Sequence, residues 1–217
     1  METKIKKNAG DSLIEQNGTK RTMKFRISVL LLFTILFLSS TATFAHCDTK
    51  DGPVVADARK AIENNNVNYV LKWVQTANEK EIKDAFKLTM KVRVLSPEAK
   101  ELSDNYFFET LVRVHRSGEG VPYTGVKPSG TPIDEKILAA DKSIELGNLS
   151  PLNDLVPKDK LAELKKRFDK VMSLKKFDVN NVEAGREYIE AYVQFFKFAE
   201  GEDEVHNPAH IKEGAHL

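Results

Sequence analysis

The 217-residue chain carries 33 Lys and Arg against 32 Asp and Glu, a net charge of +1, so it has neither the basic excess of a nucleic-acid binder nor the acidic excess of a disordered tail. Its one cysteine, Cys47, excludes an internal disulfide. If residues 1–45 are removed, 7 of the basic and 3 of the acidic residues go with them, and the remaining 26 basic and 29 acidic residues give about −3 over 172 residues, enough chain for one buried core.

Residues 1–22 are polar and without pattern and read as a dispensable leader or a mis-assigned start. From Met23, Lys24 and Arg26 precede an apolar run from Ile27 to Leu38, then small residues and Thr43-Phe44-Ala45. This is the pattern of a signal peptide ending at Ala45, and the run is shorter than the roughly 20 apolar residues of a membrane span. Lipid attachment to Cys47 is disfavoured, because His46 stands where a small residue is required. The expectation is therefore export to the periplasm or beyond, with no membrane attachment after cleavage and a mature chain starting at His46.

The apolar spacing of the mature chain is helical nearly throughout, which predicts an all-α bundle of four or more helices in one domain, 46–200, with a polar tail over 201–217. Pro53 opens a helix ending at Asn64-Asn65-Asn66. A second helical stretch runs from Val67 to about Val94, with a break near Thr76-Ala77-Asn78. Ser96 caps a third helix, with Pro97 at its first position, running past Phe107, Phe108 and Leu111 to His115 and stopped by Gly118 and Gly120. Gly118 to Pro132 is predicted to be an ordered Gly/Pro-rich loop around Tyr123. Thr131 is the expected cap of a fourth helix that carries Ile137, Asp141 and Ile144 to Gly147. Two further helices are expected over 158–175, with a solvated basic face, and 182–200, apolar enough for a bundle centre.

Three groups of residues can carry chemistry. Cleavage before His46 would place a free α-amine, the His46 imidazole and the Cys47 thiolate within two residues, able to close small chelate rings on one transition metal, with Asp48 and Asp51 beside them. The bland alternatives for Cys47 are an intermolecular disulfide, which would make a homo-oligomer, or an incidental thiol. The second group is Glu109, Arg113, His115, Arg116 and Glu119, where a bundle helix meets the loop of Tyr123. Its charges read as a network that orders the loop or supports metal ligands, and His115, on the ridge of Phe108 and Leu111, reads as a hydrogen-bonded histidine or an extra metal ligand. The third is His206, His210 and His216 in the tail, which read as weakly metal-binding at most.

The segments His46-Cys47-Asp48, Asp51-Gly52-Pro53, Phe107 to Arg113, His115-Arg116, Gly118-Glu119-Gly120, Pro122-Tyr123-Thr124-Gly125 and Gly185-Arg186-Glu187 make the chain similar to an uncharacterised family of exported bacterial helical proteins. That likeness implies no known activity. The His46-Cys47-Asp48 start with Gly52 also resembles the hook of nickel superoxide dismutase, a secreted four-helix bundle. The resemblance implies that the amine and imidazole of His46 and the amide and thiolate of Cys47 are metal ligands, and superoxide dismutation as the reaction.

The position of the second thiolate of that enzyme holds Asp51. A carboxylate there disfavours nickel redox cycling, and nitrogen ligands favour copper by the Irving–Williams order. The expectation is thus copper before nickel at His46 and Cys47, with His115 as the extra ligand. Superoxide dismutase-like redox chemistry is one outcome. A non-catalytic periplasmic metal-binding or scaffold protein, or a module whose Tyr123 loop binds a partner, are the others.

Overall fold

The computed structural model describes residues 46–201; the expected leader, the signal segment and the tail with His206, His210 and His216 lie outside them. Among the described residues the secondary structure is seven α-helices, three short 3-10 turns and one isolated parallel bridge between Thr49 and Lys127, as the helical apolar spacing predicts.

Helix α1, Pro53–Glu63, has proline in its first turn, where no backbone donor is wasted, and buries Val54, Val55, Ala58 and Ile62. Asn65, at φ 47°, turns the chain out of it. The expected stretch from Val67 to Val94 is divided into a one-turn helix α2, Asn68–Leu71, an irregular Lys72-Trp73-Val74, a 3-10 turn at Thr76–Asn78 and helix α3, Glu79–Val92. Side chains from other helices cause the division. His115 binds the Trp73 carbonyl, and Arg186 donates to the carbonyls of Leu71 and Val74, so these acceptors serve tertiary contacts rather than a continuous helix.

Helix α4, Pro97–Gly118, is capped by Ser96, whose Oγ accepts from the Ala99 amide at 3.1 Å. Helix α5, Glu135–Leu146, is capped by Asp134, not by Thr131. The Thr131 hydroxyl instead donates to the Pro128 carbonyl at 2.7 Å and closes a turn within the loop. Helices α6, Leu161–Leu174, and α7, Val182–Glu200, lie close to their expected limits, and Asn181 caps α7.

Helix α3 packs on α4, α5 and α6 pack on α7, and α1 packs on α2 and α4. Phe107 and Phe195 are fully buried in one continuous core. Gly185 lets α7 approach closely: a Cβ there would lie 3.1 Å from both Lys72 Cβ and Phe177. The neighbouring Arg186 also pairs with Glu79 at 2.6 Å, so the Gly185-Arg186 pair fixes α7 to the chain between α2 and α3.

Asp57 of α1 is the polar centre of this region. Its carboxylate accepts from the Trp73 indole at 2.9 Å and pairs with Lys72 at 2.8 Å and Lys60 at 3.0 Å. Burial pushes the carboxyl up, but the charge of Lys72 and the hydrogen bonds from Lys72, Trp73 and Lys60 outweigh it and hold it below the usual carboxylate range. With the folded pKa below the unfolded one, the stabilisation is complete above the usual carboxylate value and is lost as pH falls through the lowered one. Asp57→Asn should therefore lower the melting temperature at neutral pH. The gap from the parent should close below about pH 4, which melting curves across the acid range will show.

Candidate metal centre at the N-terminal turn

Residues 46–52 fold into a tight turn before α1. The Thr49 hydroxyl donates to the His46 carbonyl at 3.2 Å, and the Gly52 amide donates to the Thr49 carbonyl at 3.0 Å. Gly52 is required by contact: a Cβ there would sit 1.9 Å from the His46 carbonyl oxygen. Four successive residues of this turn, His46, Cys47, Asp48 and Thr49, are buried.

His46, Asp48 and the turn's backbone are met by different parts of the chain. His46 Nε2 donates to Asp141 Oδ2 of α5 at 2.5 Å, and the Tyr192 hydroxyl of α7 donates to Asp141 Oδ1 at 2.7 Å. Asp48 pairs with Arg116 of α4 at 3.4 Å. The bridge between Thr49 and Lys127 carries two backbone bonds, Lys127 N to Asp48 O at 2.7 Å and Lys50 N to Lys127 O at 2.9 Å. Asp51 does not turn toward Cys47. It accepts from the Ser129 hydroxyl at 2.8 Å and the Gly130 amide at 2.9 Å, which pins the Gly/Pro-rich loop.

The sulfur of Cys47 is buried within this ring. Burial, and after it the carboxylates of Glu119 and Asp48, push its thiol well above the ordinary range, while Arg116 acts in the opposite direction. Burial likewise raises the Asp48 carboxyl, with Arg116 as the main opposing influence. His115 is buried, and its Nδ1 donates to the Trp73 carbonyl at 2.9 Å. Its Nε2 has no hydrogen-bond partner among the described residues and lies 3.6 Å from Glu119 Oε1. Asp48 Oδ1 is also buried without a hydrogen-bond partner.

The charges expected to act as one group divide into two. Arg116 is buried and joins Asp48 to Glu119, 3.1 Å away. Arg113 is half-exposed and pairs with Glu81 of α3, and Glu109 is exposed. Tyr123 is half-buried against the core, and its hydroxyl has no hydrogen-bond partner among the described residues.

Beside the turn lies a cleft of ≈ 380 Å³ whose lining includes His46, Asp141, Trp73, Tyr188 and Tyr192. Asp141, Tyr192 and Trp73 were not singled out from the sequence as site residues. The available signal was a carboxylate, Asp141, on the otherwise apolar face of Ile137 and Ile144. Among the described residues, no group of three or more His, Cys, Asp or Glu side chains is arranged to hold a metal ion, so a metal at this turn needs a donor from the backbone or the α-amine.

Residues 51–198 match the model of DUF6448, a family of unknown function. The chain belongs to this family. The match begins at Asp51, so His46, Cys47 and Asp48 stand just before it. No curated protein and no solved structure matches the chain, and no helix among the described residues is long and apolar enough to cross a membrane.

Removing Arg116 leaves Asp48 buried without its countercharge, whereas removing Arg113 breaks a solvated pair. Arg116→Met should destabilise the protein by about 3–5 kcal/mol and Arg113→Ala by less than about 1 kcal/mol, as read from urea denaturation. Cys47 should resist iodoacetamide in the folded protein at neutral pH and react fully once urea unfolds it, with mass spectrometry counting the adducts.

Proposed function

We propose that this is an exported protein that binds copper at its processed N-terminus, through the α-amine and Nδ1 of His46 and the thiolate of Cys47. The observation that carries the reading is the His46–Asp141 hydrogen bond. A metal-binding histidine characteristically donates its other ring nitrogen to a carboxylate or a carbonyl, which fixes the tautomer and the ring. With Nε2 given to Asp141, the remaining nitrogen of His46 is Nδ1, which closes a six-membered ring with its own α-amine. His115 is anchored in the same manner through Nδ1, and its Nε2 is the further candidate donor.

The residues present fit nickel redox chemistry poorly. Cys47 is the only thiol of the chain, and the carboxylate of Asp51 is engaged with Ser129 and Gly130. An amine, an imidazole and one thiolate suit copper, which bound here would supply a one-electron couple. Around it Asp141 holds the imidazole, Tyr192 holds Asp141, and the cleft lined by His46 gives a small molecule such as superoxide a way in. A second reading, a non-catalytic copper carrier, is favoured by the burial of both His46 and Cys47, since a store needs a closed site and a catalyst an open position.

The N-terminus decides between these and a purely structural role. Intact mass of the secreted protein is expected to give a chain starting at His46. One equivalent of Cu(II) should bind that chain more tightly than it binds His46→Ala or a chain retaining Ala45, and superoxide decay should follow loading. Binding without decay assigns a carrier. Equal binding by all three proteins removes the metal site and leaves a scaffold.

A further inference from the structure

We propose that Trp73 and Tyr192 form a one-electron relay beside the N-terminal turn: an oxidising equivalent that reaches Trp73 passes to Tyr192 and is held there as a phenoxyl radical. The chain has one tryptophan and five tyrosines. Three of these oxidisable rings, Trp73, Tyr192 and Tyr188, meet in series and line the cleft beside His46. The ring centroids of Trp73 and Tyr192 are 6.2 Å apart and those of Tyr192 and Tyr188 are 6.1 Å apart, so an electron passes from ring to ring directly.

Packing alone does not account for the pair. Rings that only fill the core, such as Phe86 with Phe107 and Phe168 with Phe195, bring no polar atom with them. Trp73 and Tyr192 are both buried, and each places its one exchangeable hydrogen on a carboxylate. The Trp73 indole N–H donates to Asp57 Oδ2 at 2.9 Å, and the Tyr192 hydroxyl donates to Asp141 Oδ1 at 2.7 Å. An indole or a phenol that loses an electron becomes a strong acid, and here a base stands within hydrogen-bond reach of each where bulk water does not. The direction of transfer is set as well. The Lys72 ammonium lies over the Trp73 ring, 5.7 Å from its centroid, and disfavours positive charge on the indole, while the hydroxyl of Tyr192 faces a carboxylate.

A one-electron oxidant of the azide-radical or hydroxyl-radical class takes an electron from the indole, whose N–H proton moves to Asp57. Tyr192 then gives an electron to the indolyl radical and its phenolic proton to Asp141, and Asp57 returns its proton to the indole nitrogen. The net change is one electron gained by the oxidant, the Tyr192 O–H bond broken and an O–H bond formed on Asp141. Use of the held equivalent by the proposed copper, one carboxylate away through His46, rests on that reading; the relay itself needs no metal.

Pulse radiolysis of the metal-free full chain in azide solution reads the relay directly, because azide radicals oxidise indole in preference to phenol at neutral pH and Trp73 is the only tryptophan. The absorption of the indolyl radical should give way to that of a phenoxyl radical in a first-order conversion independent of protein concentration. Tyr192→Phe keeps the ring and removes the phenol, and should slow the conversion at least about tenfold. Tyr106 is 46% exposed on α4, and Tyr106→Phe should leave the rate unchanged. In deuterated water the parent chain should convert more slowly, since Tyr192 loses its proton with its electron, and this measurement needs no variant to fold. A Trp73 radical that decays only by reaction between molecules, a rate that Tyr192→Phe leaves unchanged, or the absence of slowing in deuterated water overturns the proposal. Because the metal is removed beforehand, failure of the relay and failure of the copper reading are seen separately.

Discussion

The structure depends on the burial of four successive residues, His46 to Thr49, three of them ionisable groups that water would otherwise solvate. A short segment at the edge of a bundle is stable there only if most of its polar atoms find partners, and here Asp48 Oδ1 is the exception. The partners come from separate elements: Asp141 on α5, Arg116 on α4 and the Lys127 backbone in the long loop. The loop from 119 to 134 is consequently ordered despite its glycines and prolines. It is held at Lys127 by the bridge and at Ser129 and Gly130 by Asp51. Gly52 completes the arrangement, because the chain must pass against the His46 carbonyl before proline starts α1.

Trp73 joins this turn to the rest of the bundle. Its indole nitrogen donates to Asp57 of α1, its carbonyl receives His115 of α4, and its ring meets the rings of His115 and Tyr192 edge-on at 5.6 and 6.2 Å. Tyr192 then holds Asp141, which holds His46. A run of contacts thus leads from α1 through an irregular segment to α4 and α7 and back to the N-terminal turn. Interrupting the helix after Leu71 is the structural cost of placing Trp73 there, and the His115 and Arg186 bonds to freed carbonyls offset it.

The helices were legible in the sequence wherever local chemistry decides. Pro53, the Ser96-Pro97 pair and the apolar run of α7 give their limits through capping and periodicity alone. Thr131 and Asp134 are both competent caps, and the choice fell to Asp134 because the Thr131 hydroxyl is drawn to the Pro128 carbonyl. The break near Thr76 in the stretch to Val94 was legible, but the chain leaves the helix earlier, after Leu71, where side chains from α4 and α7 claim its carbonyls. Glu109 and Arg113 obey the i,i+4 rule on paper, yet Arg113 turns to Glu81, 32 positions away. The site was half legible: His46 and Cys47 announce themselves, whereas Asp141 lies 95 positions from His46 and no local pattern joins them. A lone carboxylate on an apolar helix face was the only clue, and it applies equally to Asp57.

The electrostatics around Cys47 bear on what such a turn can do. The thiol shares its surroundings with the carboxylates of Glu119, Asp48 and Asp141 and with one guanidinium, Arg116. Burial first, and the carboxylates after it, make a thiolate costly, so Cys47 is a poor nucleophile and a poor redox sensor. The carboxylates also lower the energy of any cation placed beside the sulfur. If the chain is processed and binds copper as proposed, the ion would meet carboxylates already in place, and the proton leaving Cys47 would be replaced by a charge that they stabilise. On the proposed reading, the carboxylates that disfavour a thiolate are also the groups that would favour a bound cation.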